Sequence, residues 1–265
     1  QSIWKADFTT PVENASNYSV TSATDSAGNL LVGGASTVAI TQDATGNDIV
    51  HFQPSLLKYD ASGKLLWTFH FDNGRRRTTP LPASEYYINE YTGGAEISQV
   101  VTTGAGDIFA AGMVPGVNYS TDAADYDLAL FKLNSAGELQ WSRIIERPSQ
   151  DSPMALGLSA SGNLLLGVGH LAEWNSSTEA LSVSAVDGTT LWSDEQADEK
   201  PGSFLFSYGE STLARTANAA TSPHRIAISH DWSRIRVYDD SGQIVSQFPQ
   251  QVVSSNNQGS SNSSG

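Results

Sequence analysis

No cysteine occurs in the 265 residues. That excludes disulfides, thiolate metal sites and a cysteine nucleophile. It leaves the compartment open, because secreted bacterial proteins often lack cysteine too. Long apolar runs are also missing. None approaches the roughly 18 residues that a membrane-spanning helix needs. Charge is scarce, at 16% of residues, and basic charge scarcest, with 14 Lys and Arg against 28 Asp and Glu. The resulting net charge of −14 repels a phosphate backbone and an anionic membrane surface. Nucleic-acid binding and membrane insertion are therefore not expected. No stretch has extended helical periodicity, and no Walker loop, dinucleotide fingerprint or nucleophile elbow is found.

What is present is glycine, 23 of them, with short apolar runs between turn residues. This composition fits many short strands. One pattern recurs: two strands around a tight turn, a variable loop, then two more strands around Asp/Asn-x-(Ser/Ala)-Gly, the last carrying Trp. The first copy has DSAGNLLVGGA from Asp25 and LLKYDASGKLLWTFHF from Leu56. The second has TGAGDIFAAGM from Thr103 and LALFKLNSAGELQWSRII from Leu128. The third has SASGNLLLGVG from Ser159 and LSVSAVDGTTLWSDE from Leu181. A degraded fourth has SFLFSYGESTLAR from Ser203 and IRVYDDSGQIVSQF from Ile235. The N-terminal SIWKADF looks like a Trp-bearing last strand standing alone. In each turn the Asp or Asn side chain can cap the backbone, and the glycine supplies positive φ. Trp4, Trp67, Trp141 and Trp192 share one register position and are expected to pack.

Units of roughly 40 to 75 residues with four strands each predict propeller blades. The chain resembles the bacterial β-propeller repeats related to pyrroloquinoline-quinone-type blades, most closely in DYDLALFKLNSAGELQW, Asp125 to Trp141. The resemblance covers residues 16 to 195 well and 203 to 248 poorly. It implies an all-β fold: a small propeller of four four-stranded antiparallel blades, the N-terminal strand closing the ring. Five blades result if residues 203 to 248 hold two short ones. Residues 1 to 250 form the propeller in this reading. Residues 251 to 265, rich in Ser, Asn and Gly, form a flexible tail or linker, as expected of a module within a larger protein. With Gln1 running almost directly into a strand-like segment, the expected location is secreted or periplasmic.

Antiparallel connectivity puts all the tight turns at one end of such blades. The long segments 35 to 54, 72 to 95, 114 to 125, 170 to 179 and 216 to 224 fall at the other, where binding residues concentrate on rigid scaffolds. Segment 72 to 95 holds the one basic cluster, Arg75, Arg76 and Arg77, together with Tyr86, Tyr87 and Tyr91. Arginine forks suit carboxylates, and tyrosine rings suit sugar faces or partner surfaces. Local ion pairing and loop anchoring are the plainer role for the same residues. Trp174 breaks the Trp register and is a candidate ligand platform. His51, His170 and His224 fall at comparable places and would bind a transition metal if they converged. Asp43 and Asp48, and Asp122 and Asp125, lie in oxygen-rich loops able to hold calcium, although neither loop matches an EF-hand. The expectation is a non-catalytic module that recognises a polysaccharide or an extracellular protein. The alternatives are a propeller enzyme, glycoside-active or metal- or quinone-dependent, and a structural scaffold.

Overall fold

A computed structural model describes residues 17–42, 45–46, 48–75, 95–116, 125–147, 150–171, 176–197, 225–229 and 235–248. Every regular element among them is a β-strand. Four antiparallel sheets follow one another along the chain, each a meander of sequential neighbours. Sheet 1 contains β1 (Asn17–Thr24), β2 (Leu30–Gln42), β3 (Asp48–Tyr59) and β4 (Leu65–His70). Sheet 2 contains β5 (Glu96–Thr102), β6 (Ile108–Pro115), β7 (Tyr126–Leu133) and β8 (Leu139–Ile145). Sheet 3 contains β9 (Gln150–Leu158), β10 (Leu164–Leu171), β11 (Ser176–Val183) and β12 (Thr190–Ala197). Sheet 4 has three described strands, β13 (Ile226–Ser229), β14 (Ile235–Tyr238) and β15 (Ile244–Phe248).

Turn chemistry sets these hairpins. In Asp60-Ala-Ser-Gly63, the Gly63 amide donates to the Asp60 carbonyl, and the Asp60 carboxylate accepts from the amides of Ser62 and Lys64. Asp25, Asn134 and Asp239 cap their turns in the same way. Gly28, Gly63, Gly137 and Gly242 close these turns at φ between 81° and 85°, where a side chain would be strained. Register irregularities recur too. The first strand skips Val20, Ser98 and Met154 in sheets 1, 2 and 3. The last strand skips Leu66, Gln140, Leu191 and Val245 in sheets 1 to 4.

Because each sheet is apolar on both faces, it can be packed on both sides. Leu31 and Leu56 of sheet 1, with Trp67 and Phe69, press onto Ile108, Ala110, Phe131 and Leu133 of sheet 2. Phe109, Leu130 and Trp141 of sheet 2 press in turn onto Leu164, Leu166, Leu181 and Val183 of sheet 3. Leu165, Ala180 and Trp192 then meet Ile226, Ile228 and Tyr238 of sheet 4. The tryptophans lock each junction. Trp67 Nε1 donates to the Ser135 carbonyl, Trp141 Nε1 to Ala185 and Trp192 Nε1 to Asp240. Each ring lies so close to the next sheet's turn glycine, Gly137, Gly188 or Gly242, that a Cβ there would meet it at 2.6 to 3.0 Å. The described residues do not close this series of sheets into a ring.

Two expectations are corrected. Segment 35 to 54 is mostly not loop: β2 and β3 stay paired from Ala35↔Pro54 out to Gln42↔Asp48. Its alternating residues satisfy a hairpin, and the Pro54 carbonyl accepts from the Phe71 amide. Segment 170 to 179 is likewise mostly paired, since β10 runs to Leu171 and β11 starts at Ser176. In the fourth set, strand β13 at Ile226–Ser229 begins just after segment 216 to 224 and pairs directly with β14.

Candidate functional site

At the end of sheets 2 and 3 opposite the tight turns, charged side chains gather inside the protein. Asp127 near the start of β7, Asp151 near the start of β9, His170 near the end of β10 and Glu179 in β11 are all buried. Two arginines reach them from the connections that follow β4 and β8. The Arg75 Nη1 donates to Asp127 Oδ2 at 3.0 Å and to the Pro115 carbonyl at 3.2 Å, and its Nη2 to Glu146. Arg147 donates through its backbone amide to Asp127 Oδ1 at 3.2 Å and through Nη2 to Glu179 at 2.8 Å. Its Nη1 lies 2.7 Å from His170 Nε2 and 3.8 Å from Glu195. The Nδ1 of His170 lies 2.6 Å from Asp151 Oδ1.

The arrangement follows from strand geometry. His170 and Asp151 are direct cross-strand partners between β10 and β9. Asp127 sits one residue inside β7, a strand that is buried on both faces. Buried charge is tolerated only when paired, and each carboxylate here has a cationic neighbour. Burial raises the Asp127 carboxyl to about 6; Asp125 and Asp151 add to that, while the Arg147 amide and Arg75 oppose it. Burial raises Glu179 as well, but Arg147 and the protonated form of His170 outweigh it and hold the group below the usual range. For His170, burial pulls downward and is overcome by Asp151 and Glu179, leaving the ring at about 9.

Only the heads of this network meet solvent. The Arg75 and Arg147 side chains are 28% and 25% exposed, and Glu146 and Glu195 are each 54% exposed. The surface therefore presents two guanidinium–carboxylate pairs grounded in buried partners. Such pre-positioned planar groups can donate to and accept from hydroxyls without reordering.

Of the residues singled out in the sequence, Arg75 belongs to this network. Asp125 is buried beside it, its carbonyl accepting from the Gly116 amide at 2.7 Å. His170 joins it through an aspartate and an arginine. His51 instead lies within β3, with Nε2 2.8 Å from Thr41 Oγ1. Asp48 opens β3 and accepts from Gln42 Nε2 at 3.1 Å. Among the described residues no three His, Asp or Glu side chains are placed to hold a metal ion. Arg76, Arg77, Tyr86, Tyr87, Tyr91, Trp174, His224, Asp43 and Asp122 lie outside the described residues. Sequence reasoning missed Arg147, Asp127, Asp151 and Glu179. The signal was there for two of them: an acid inside the apolar runs DYDLALF and TEALSV.

No family model and no curated protein matches this chain. Among solved structures, a protein of unknown function from Bacteroides caccae is similar over 81% of this chain and 61% of its own, at 15% identity and a TM-score of 0.38. A eukaryotic initiation factor is similar over 87% and 55%, at 12% identity and a TM-score of 0.31. The chain thus spans less than two thirds of either protein, and likeness of this degree says nothing of function.

Proposed function

We propose that this chain is a secreted or periplasmic non-catalytic binding module, a four-bladed propeller whose loop-bearing face recognises a polysaccharide. The observation that carries the reading is the asymmetry of the two ends. One end is tight capped turns; the other holds the buried network with its solvent-facing Arg75, Glu146, Arg147 and Glu195 heads. Both oxygens of Asp127 are engaged by arginine donors, which favours binding over proton transfer at that carboxyl.

The ring reading is supported by the seat on sheet 1. Leu30, Val32, Leu57 and Tyr59 line a cavity of about 280 Å³ at the positions where sheet 2 receives sheet 1. The Gly63 turn repeats the turns that receive Trp67, Trp141 and Trp192. In the proposed ring, Trp4 of SIWKADF fills that place. Trp4→Ala is then expected to destabilise the protein about as much as Trp67→Ala, by roughly 3 kcal/mol in urea unfolding. A loss under about 0.5 kcal/mol would remove Trp4 from the ring.

The binding test is retention on a panel of soluble and insoluble polysaccharides, with calcium and then with EDTA. Selective retention that Trp174→Ala or a Tyr86/Tyr87 double alanine variant weakens at least tenfold is the expected result. No retention under either condition overturns the polysaccharide reading.

A further inference from the structure

We infer that His170 is a proton-operated catch on Arg147: the neutral ring holds the guanidinium against sheet 3, and the imidazolium releases it toward the loop face. The inference deepens the binding-face reading. Its consequence for ligands rests on that reading, whereas its test does not.

The catch rests on mutually exclusive hydrogen bonds. Arginine has donors and no acceptor. A hydrogen bond between Arg147 Nη1 and His170 Nε2, which lie 2.7 Å apart, therefore requires Nε2 to accept, with the ring proton on Nδ1 directed at Asp151. That is the neutral ring. Once Nε2 is protonated it can no longer accept, and it places a positive charge against a guanidinium. Its available partner is Glu179 Oε2 at 3.4 Å, and Glu179 is also Arg147's own anchor. One proton thus removes one Arg147 contact and competes for the other. Asp151 serves both states unchanged, so the ring keeps its place and only Nε2 changes role.

The neighbourhood determines where the arginine goes. The Arg147 backbone is pinned by Asp127 Oδ1, so movement is confined to the side chain. Glu195 in β12 lies on the solvent side at 3.8 Å from Nη1 and is ready to take it. Among the described residues, the charged groups around the pair are Asp151 of β9, Glu179 of β11, Glu195 of β12, and Asp125 and Asp127 at the start of β7. Four of these carboxylates are buried, and their field favours the extra proton. The changeover accordingly falls above the ordinary histidine range.

The test is an NMR titration of the isotope-labelled full chain from about pH 5 to pH 10, following the His170 ring carbons and the Arg147 Cδ and Cζ. The expected result is one shared midpoint above pH 7 for both residues. Glu179→Gln should lower the His170 midpoint by about one unit, and Arg147→Gln should raise it by about as much. Arg147 carbons that stay fixed through the His170 transition, or a His170 midpoint at or below 6.5, would overturn the catch. The wild-type titration decides this even where a variant does not fold. No ligand enters the measurement, so its failure would leave polysaccharide binding standing.

Discussion

Trp141→Ala should lower the stability of the protein by about 3 to 4 kcal/mol, the range for removing a large aromatic from a packed junction. Trp141 belongs to the cluster that joins sheets 2 and 3, with its ring 6.2 Å from that of Phe109. Its Nε1 donates to the Ala185 carbonyl at 3.3 Å, and its face covers Gly188. Alanine removes all three interactions and leaves a gap that the stiff Ala185–Gly188 turn cannot fill. Leu139, two residues earlier and 41% exposed, is the matched control, for which a change within about 0.5 kcal/mol is expected. Urea unfolding checks both. The midpoint should fall for Trp141→Ala with little change in slope if the sheets unfold together. A cost under about 1 kcal/mol would mean that the Trp–Gly junction is not what joins the sheets. A flattened slope would mean that the sheets uncouple, as in repeat proteins whose stability resides in neighbour interfaces.

The Trp junctions were legible in the sequence because they rest on short-range chemistry. A tight turn needs its Asp or Asn and its glycine at fixed spacing. A tryptophan at one register position in three units is a packing residue by arithmetic. The partner of each tryptophan was not legible, because Trp141 and Gly188 lie in different units and spacing along the chain does not pair them. The charged network was hidden for the same reason. Arg147 reads as an ordinary polar residue after an edge strand, and its role follows only once β9, β10 and β11 converge beneath it. The acids were hidden differently. Asp125 stands in an oxygen-rich stretch, whereas β7 begins at Tyr126 and draws Asp127 inside to meet two arginines, a placement that spacing along the chain does not show. The fourth sheet was only partly legible. Its last turn keeps the Asp-x-Ser-Gly chemistry, but Ser246 stands where the other sheets carry tryptophan, opposite Val237.

Glu96→Gln should become progressively more stabilising, relative to the parent, as the pH rises. Glu96 opens β5, is 6% exposed, and has one carboxyl oxygen, Oε2, buried without a hydrogen-bond partner. Met113 lies opposite it across the strand pair, and Ala95 and Tyr126 are buried close by. Burial raises its pKa to about 7, against a weaker opposing hydrogen bond from Tyr18 in β1. In the unfolded chain the same group titrates near its ordinary value of 4.5. Between those two values the folded protein holds a proton that the unfolded chain has lost, so stability falls as pH rises through the window. The difference of about 2.5 units corresponds to roughly 3 kcal/mol, present below the unfolded value and gone once the pH exceeds the folded one. Glutamine keeps the shape and carries no ionisable proton. The gap in unfolding free energy between variant and parent should therefore widen in the variant's favour by roughly 3 kcal/mol from about pH 4 to about pH 8. Asp127 and His170 are present in both proteins, so their own titrations cancel in the comparison. A gap that changes by less than about 1 kcal/mol across that range would mean that Glu96 ionises freely in the folded protein. A gap that widens as expected would place a buried carboxylate, charged above about pH 7, beside sheet 1 at the start of β5, and would weaken that region in alkali.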